Sequence, residues 1–336
     1  MAQVINAGDS RPRLLVTRAL FPAVLERLSG HADVDHNADD EILTPAALRA
    51  RAAGCVGVMT CIGDTVDVAF FDACPSVRII SNIAVGYNNI DVAEASKRGV
   101  MVTNTPGVLD DTTADLTFAL LMATARRITE TERRLRSGEW KKGFALQQWL
   151  GTDIHHAKLG IIGMGRIGRT IARRASGFEM DVRYHNRTRL DVATEAKLNV
   201  HYASKQDILR ESDFVIVMVP YSPVTHHFIQ ADDIALMKPT SILINTARGG
   251  VVDDVALIDA LKTQRIAGAG VDVFEGEPAL NPDFLKLDNV VLTPHIGSAT
   301  RATRMAMATL AADNLATALA GGRPPNLINV KLWSTT

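Results

Sequence analysis

Four segments of this chain hold residues able to do chemistry, and each follows an apolar run. Lys158–Ala172 reads KLGIIGMGRIGRTIA, with Gly163, Gly165 and Gly168 in the pattern G-x-G-x-x-G. Ile242–Gly250 reads ILINTARGG, with Arg248 just before its closing glycines. Gly270–Pro278 reads GVDVFEGEP, with Asp272, Glu275 and Glu277 close together, and Val290–Ser298 reads VVLTPHIGS around His295. The glycine pattern suits a dinucleotide. Gly163 makes a tight turn, Gly165 lets a pyrophosphate approach the backbone, Gly168 lets helix and strand pack, and the helix start at Arg166 and Ile167 offers free N–H groups to the anion. Arg248 follows a strand too apolar for the surface, and its small neighbours leave room for a ligand beside it. Its planar fork suits a carboxylate or a ketone oxygen better than a lysine would.

The segment after the next strand addresses which dinucleotide is bound. It reads Tyr184-His185-Asn186-Arg187-Thr188-Arg189, where an NAD site would place an acid for the ribose hydroxyls. Asn186 is uncharged, and Arg187 and Arg189, with the Thr188 hydroxyl, are suited to a 2′-phosphate. The expected cofactor is therefore NADPH ahead of NADH, although NAD remains possible.

These segments need a scaffold. The chain has 336 residues, 36 Lys+Arg against 37 Asp+Glu, and 47% hydrophobic residues. That length suggests two domains, and the balanced charge gives no electrostatic case for nucleic acid or an anionic membrane surface. Cys55, Cys61 and Cys74 fit neither a disulfide framework nor zinc-ligand spacing. The N-terminal MAQVINAGDSRPR lacks the apolar core of a signal peptide, and no run is long enough to span a bilayer. We therefore expect a cytoplasmic protein. Val- and Ile-rich runs alternate with helical periodicity, as in parallel sheets covered by helices. Strands are expected over Leu14–Val16, Gly57–Thr60, Val77–Ile80 and Val100–Thr103. A second series covers Leu159–Gly163, Asp181–Tyr184, Phe214–Val219, Ser241–Asn245, Gly268–Val273 and Val290–Leu292. One long helix, Asp111–Gly138, is expected to lead from the first series to the second. The fold class is thus α/β, with two doubly wound, Rossmann-like parallel-sheet domains. The substrate domain is discontinuous, over residues 1–106 and 292–336, and a dinucleotide domain over 107–291 closes with it over a cleft.

In this order and together, the segments resemble the D-isomer-specific 2-hydroxyacid dehydrogenases. The resemblance extends through Asn82–Asp91, Asn104–Leu109, the glycine segment, Thr246–Gly249, Asp272–Pro278 and Pro294–Thr300. Gly151–His156 leading into the glycine segment is most similar to the bacterial glyoxylate/hydroxypyruvate reductases that also reduce 2-ketogluconate. Asn88 departs from relatives that often carry Asp there. The resemblance implies that Arg248, Glu277 and His295 form a catalytic trio. It further implies that Asp272 holds the nicotinamide, Thr113 contacts the cofactor, and the Val85 and Gly86 N–H groups receive the substrate carboxylate, with Arg248 also binding substrate. These roles suit the chemistry, because hydride arrival places negative charge on the carbonyl oxygen and a proton donor is then needed. His295 would donate that proton, with Glu277 favouring its charged form.

The expected reaction is NADPH-dependent reduction of glyoxylate, hydroxypyruvate or a 2-keto sugar acid to the D-2-hydroxy acid. An NADH-linked D-lactate-type dehydrogenase is the same-class alternative. A nucleotide-sensing corepressor-like binding protein and a nucleotide-binding methyltransferase are the alternatives from other classes. Cys61 is either pocket lining or filler, and Trp140 and Trp149 border the pocket or pack between subunits. His155-His156 and His226-His227 lie in polar loops, so no metal is expected. The apolar run Leu116–Ala125 exceeds what a surface helix needs, and a homodimer is expected from it.

Overall fold

The computed structural model describes residues 11–333. The absence of a leader was read partly from residues 1–10, which lie outside the described residues. The chain forms two compact units, one reaching to Leu109 and resuming at Thr300, the other Asp110–Ala299.

The first unit holds β1 (Arg13–Val16), β2 (Asp33–His36), β3 (Gly57–Thr60), β4 (Ile79–Asn82) and β5 (Met101–Thr103) in the order β2-β1-β3-β4-β5. Every pairing is parallel. Leu15, Val58, Ile80 and Val102 pack into the core on one face, while Leu14, Met59, Ile79 and Met101 pack on the other with the final helix Arg301–Leu319. Burial on both faces explains why these strands read as continuous apolar runs. The sequence reading missed β2, whose DVDH is only half-buried at the sheet edge.

The second unit holds β6 (Lys158–Ile162), β7 (Asp181–His185), β8 (Val200–Tyr202), β9 (Phe214–Val217), β10 (Ile242–Asn245), β11 (Gly268–Val271) and β12 (Val290–Leu292). Their order is β12-β11-β10-β9-β6-β7-β8, again all parallel. The order reverses between β6 and β9, the switch point where such sheets present ligand sites beyond the carboxyl ends of their strands.

One expectation is corrected here. The long helix Asp111–Gly138 is two helices, Asp110–Ala125 and Ile128–Arg136, separated at Arg127 in the left-handed region (φ 52°). The Ala125 carbonyl accepts the Thr152 N–H at 2.8 Å, so a distant part of the chain caps the first helix. Arg127 and Arg134 then pair with the buried Glu130 of the second. The units divide later in sequence than 106/107 and 291/292. Phe118, Leu120 and Leu121 of the first helix fill the second unit's core, and Asp272 ties down the residues after β12.

Candidate active site

The glycine segment turns from β6 into the helix Arg166–Ser176. Gly163 has φ +110°, and a Cβ there would lie 2.6 Å from the Met218 carbonyl. A Cβ on Gly168 would lie 2.3 Å from the Gly163 oxygen, so helix and strand touch through these two residues. Gly165 differs: it is exposed, and a Cβ there would meet no atom within 4 Å. No side chain caps the helix at Gly165, so its first N–H groups lack that partner. An open cradle before an uncapped helix start fits the pyrophosphate of a dinucleotide.

Asn186 directly follows the next strand, and its Oδ1 accepts the Met164 N–H at 2.7 Å. It therefore holds the glycine turn, a role the sequence reading did not assign. Arg187 and Thr188 are exposed. Arg189 is corrected: its guanidinium forks onto Glu195 at 2.8 Å through both Nε and Nη2 and lies over Tyr202. That pairing, with the Tyr184 hydroxyl, draws the Glu195 carboxyl down to about 2. Only Arg187 of the two arginines is left to meet a phosphate.

Arg248, Glu277 and His295 follow β10, β11 and β12, adjacent parallel strands of one sheet. His295 Nδ1 lies 2.6 Å from Glu277 Oε2, with 26% and 28% of the two side chains exposed. The other Glu277 oxygen accepts the Phe274 N–H at 2.8 Å. Burial alone would push the Glu277 carboxyl up, but the His295 hydrogen bond and charge, the Phe274 N–H and the Arg248 charge outweigh it and leave it lowered. Arg248 gives Nη1 to the Ala247 carbonyl at 2.7 Å, while its buried Nε has no partner. Burial pulls its pKa below the ordinary arginine value, Glu277 opposing. A half-buried cation whose buried Nε is unmet suits an anionic or carbonyl oxygen.

The small residues beside Arg248 act differently from expectation. A Cβ on Gly249 would lie 1.8 Å from the Phe274 oxygen. The space beside Arg248 is therefore filled by the backbone leading to Glu277, which packs the two turns together. Asp272, 1% exposed, accepts Thr293 Oγ1 at 2.6 Å and the Ile296 and Gly297 N–H groups at 2.8 and 2.9 Å, while its carbonyl takes the His295 N–H. Burial pushes its carboxyl up against the pull of those donors. Asp272 thus fixes the turn that holds His295 at φ 52°, a conformation rare outside glycine. Thr113, buried in the first turn of its helix, lies against Gly297 of the same turn.

In the first unit, Val85 and Gly86 follow β4. Asn104 donates to the Val85 carbonyl at 2.8 Å and Asn82 to the Gly86 carbonyl at 2.9 Å. Both carbonyls are thereby held, and neither N–H makes a backbone hydrogen bond among the described residues. The side-chain amides were the signal available in sequence, each ending or closely following a strand. Burial pushes the Cys61 thiol up to about 12, Asp64 adding to it, so it is no thiolate nucleophile. Trp140 is 56% exposed and Trp149 has φ 55°. The Leu116–Ala125 run is mostly core, so its apolar excess is accounted for within the unit.

Comparison with known proteins follows the same lines. Residues 118–297 match the family described as D-isomer specific 2-hydroxyacid dehydrogenase, NAD binding domain. The chain is 47% identical to a glyoxylate reductase of Pyrococcus horikoshii over 322 residues, covering 95% of this chain and 96% of the relative. It is 43% identical to that of Aeropyrum pernix, with the same coverage. The fold superposes, at a TM-score of 0.85 and 36% identity, on the NADPH-dependent glyoxylate/hydroxypyruvate reductase of Sinorhizobium meliloti crystallised with NADP and malonate, covering 95% of this chain and 97% of that one. Among the described residues no helix is long and apolar enough to cross a membrane. With these likenesses extending over nearly all of its length, the chain belongs to the D-isomer specific 2-hydroxyacid dehydrogenase family.

Proposed function

We propose that this protein reduces glyoxylate and related small 2-keto acids, hydroxypyruvate and 2-ketogluconate among them, to the D-2-hydroxy acid, using NADPH in preference to NADH. The observation that carries the reading is the 2.6 Å pair of His295 and Glu277 after strands adjoining the one that leads to Arg248, whose buried Nε has no partner among the described residues. The names of the similar glyoxylate reductases support the substrate class. The first unit serves the substrate, its Val85 and Gly86 N–H groups receiving the carboxylate, and the second serves the cofactor.

The reduced nicotinamide, when bound, supplies hydride to the carbonyl carbon. Arg248 orients the keto acid through its carbonyl and stabilises the charge that grows on the oxygen. His295 donates a proton to that oxygen, and Glu277 holds the imidazole by Nδ1 with Nε2 toward the substrate. Asp272 keeps the His295 turn in place, and its Oδ2, bonded once by Gly297, offers a lone pair to the nicotinamide amide. Thr113 packs beside it. Gly165 and the first N–H groups of the helix at Arg166 and Ile167 hold the pyrophosphate, on a turn that Gly163 and Gly168 keep closely packed. Arg187 and Thr188 take the 2′-phosphate, and Asn186 withholds the negative charge that would repel it.

The test is a panel of 2-keto acids followed by loss of NADPH absorbance, with His295→Asn beside the parent. Turnover should fall by about 10²–10⁴-fold while NADPH affinity stays unchanged. Near-normal turnover in that variant would refute the assignment.

We also propose a homodimer, on different residues from the helix first considered. Trp140, Phe144, Leu146 and Leu150 are 56–90% exposed in one stretch, more apolar surface than a monomer ordinarily leaves to water. Sedimentation should show a dimer at micromolar concentration, and Phe144→Glu with Leu146→Glu should yield monomers. A monomeric parent would dismiss the dimer. The three cysteines are unpaired, which supports a reducing, cytoplasmic setting.

A further inference from the structure

We propose that His226, His227 and Glu275 form a binding site for a first-row divalent transition metal, of which Zn²⁺ is the reference ion. Adjacent histidines in a polar loop carry no such message by themselves, and none was drawn from the sequence. The fold supplies the third donor from 48 residues away, with His227 Nε2 lying 3.2 Å from Glu275 Oε2. The candidate ligand atoms of all three residues lie within 4.8 Å of one another, the one such group among the described residues.

Both sides of the site are anchored. His227 takes a left-handed backbone conformation (φ 48°), and its N–H donates to the Gly250 carbonyl at 2.7 Å, in the turn that follows Arg248. Glu275, two residues before Glu277, donates its N–H to Asp254 Oδ2 at 3.0 Å. Asp254 is buried with its other oxygen unpartnered, and Asp253 Oδ2 lies 3.7 Å from His227 Nδ1. Negative charge thus backs the cluster with no cation among these groups. Two imidazoles and a carboxylate select zinc, nickel or cobalt over magnesium or calcium, which prefer all-oxygen shells.

Closing the site takes only side-chain motion. The His226 and His227 rings are stacked, centroids 3.9 Å apart at 24°. Nitrogen lone pairs lie in the ring planes, so parallel rings cannot share an ion, and the exposed His226 must turn out of the stack. Its Nδ1 gives up only a 3.3 Å contact with Tyr221. Zinc bonds of about 2.0–2.2 Å then draw the donors together, and three protein ligands leave a coordination position for water. The other histidine pair lacks this geometry: His155 and His156 meet edge-on at 5.2 Å, and Glu179 reaches only His156.

The test uses the untagged full-length chain, dialysed against Zn²⁺ and assayed for bound metal by emission spectroscopy. One Zn²⁺ per chain is expected, with a melting temperature that rises with Zn²⁺, and Co²⁺ in its place should give the visible bands of a four- or five-coordinate centre. His226→Ala and Glu275→Gln should each weaken binding by about tenfold or more, since even loss of an outer partner costs that much. His155→Ala with His156→Ala should not. Circular dichroism without metal reports whether each variant folds, and the exposed His226 carries the test if Glu275→Gln does not. No stoichiometric zinc in the parent, or undiminished binding by folded His226→Ala, would overturn the proposal.

Discussion

Gly163 and Gly165 stand two residues apart, and the structure assigns them different work. A methyl group added at each should separate that work. At Gly163 an alanine would have to hold φ +110°, which costs an L-residue roughly 1–2 kcal/mol. Its Cβ would press to 2.6 Å on the Met218 carbonyl, a backbone group that cannot rotate away. Overpacking of that kind costs typically about 1–3 kcal/mol. The sum, about 2–5 kcal/mol, corresponds to a melting temperature lowered by roughly 5–20 °C for a unit of this size. At Gly165 the backbone is ordinary (φ −76°) and the added carbon meets nothing within 4 Å. The remaining cost is alanine in place of glycine at a helix N-cap, about 0.5–1 kcal/mol or roughly 1–4 °C. The new methyl occupies the approach a pyrophosphate would use, however. Losing one hydrogen bond to a charged group, about 1.5–3 kcal/mol, weakens NADPH by roughly 10–100-fold. Thermal melts without ligand and NADPH fluorescence titrations measure the two effects. Gly163→Ala melting with the parent, or Gly165→Ala binding NADPH within twofold of it, would refute this division of labour.

Two further expectations concern charge. Asn186→Asp keeps an oxygen for the Met164 N–H while setting a carboxylate near the cofactor ribose, so combined with Arg187→Ala it should lower the NADPH-to-NADH ratio of kcat/KM by roughly 10–100-fold. An unchanged ratio would place the 2′-phosphate elsewhere. Burial raises the Asp254 carboxyl to about 6, so the folded state holds its proton more tightly than the unfolded chain does. The favourable contribution is complete below the ordinary value of 3.8 and is lost as pH rises through about 6. Asp254→Asn keeps an acceptor for the Glu275 N–H and should melt higher than the parent at pH 8, by about 1–2 kcal/mol, and gain less at pH 5. A gain independent of pH would show that Asp254 is not the titrating group.

Much of this molecule was legible from local pattern. Strands buried on both faces must be apolar throughout, so Gly57–Thr60, Phe214–Val217 and Ile242–Asn245 declare themselves, whereas the half-exposed Asp33–His36 and Val200–Tyr202 at sheet edges do not. The helix break at Arg127 was hidden because its cause, the Thr152 N–H on the Ala125 carbonyl, comes from a later part of the chain. The segments holding Arg248, Glu277 and His295 were visible because polar residues directly after apolar parallel strands stand where such sheets open to ligands.

What each side chain does within those segments was decided only by tertiary contacts. Arg187 and Arg189 looked equally suited to a 2′-phosphate, yet Arg189 is taken by Glu195, and Asn186, read only for its missing charge, holds the Met164 N–H. Asp272, which the resemblance sets at the nicotinamide, also ties down the turn of His295, a task no local pattern announced. His226-His227 gained a carboxylate partner only when the chain brought Glu275 alongside. Residue type and strand periodicity are properties of short stretches and survive in the sequence. Which of two equivalent guanidinium or carboxyl groups is left free depends on neighbours tens of residues away, and only packing of the whole chain selects them.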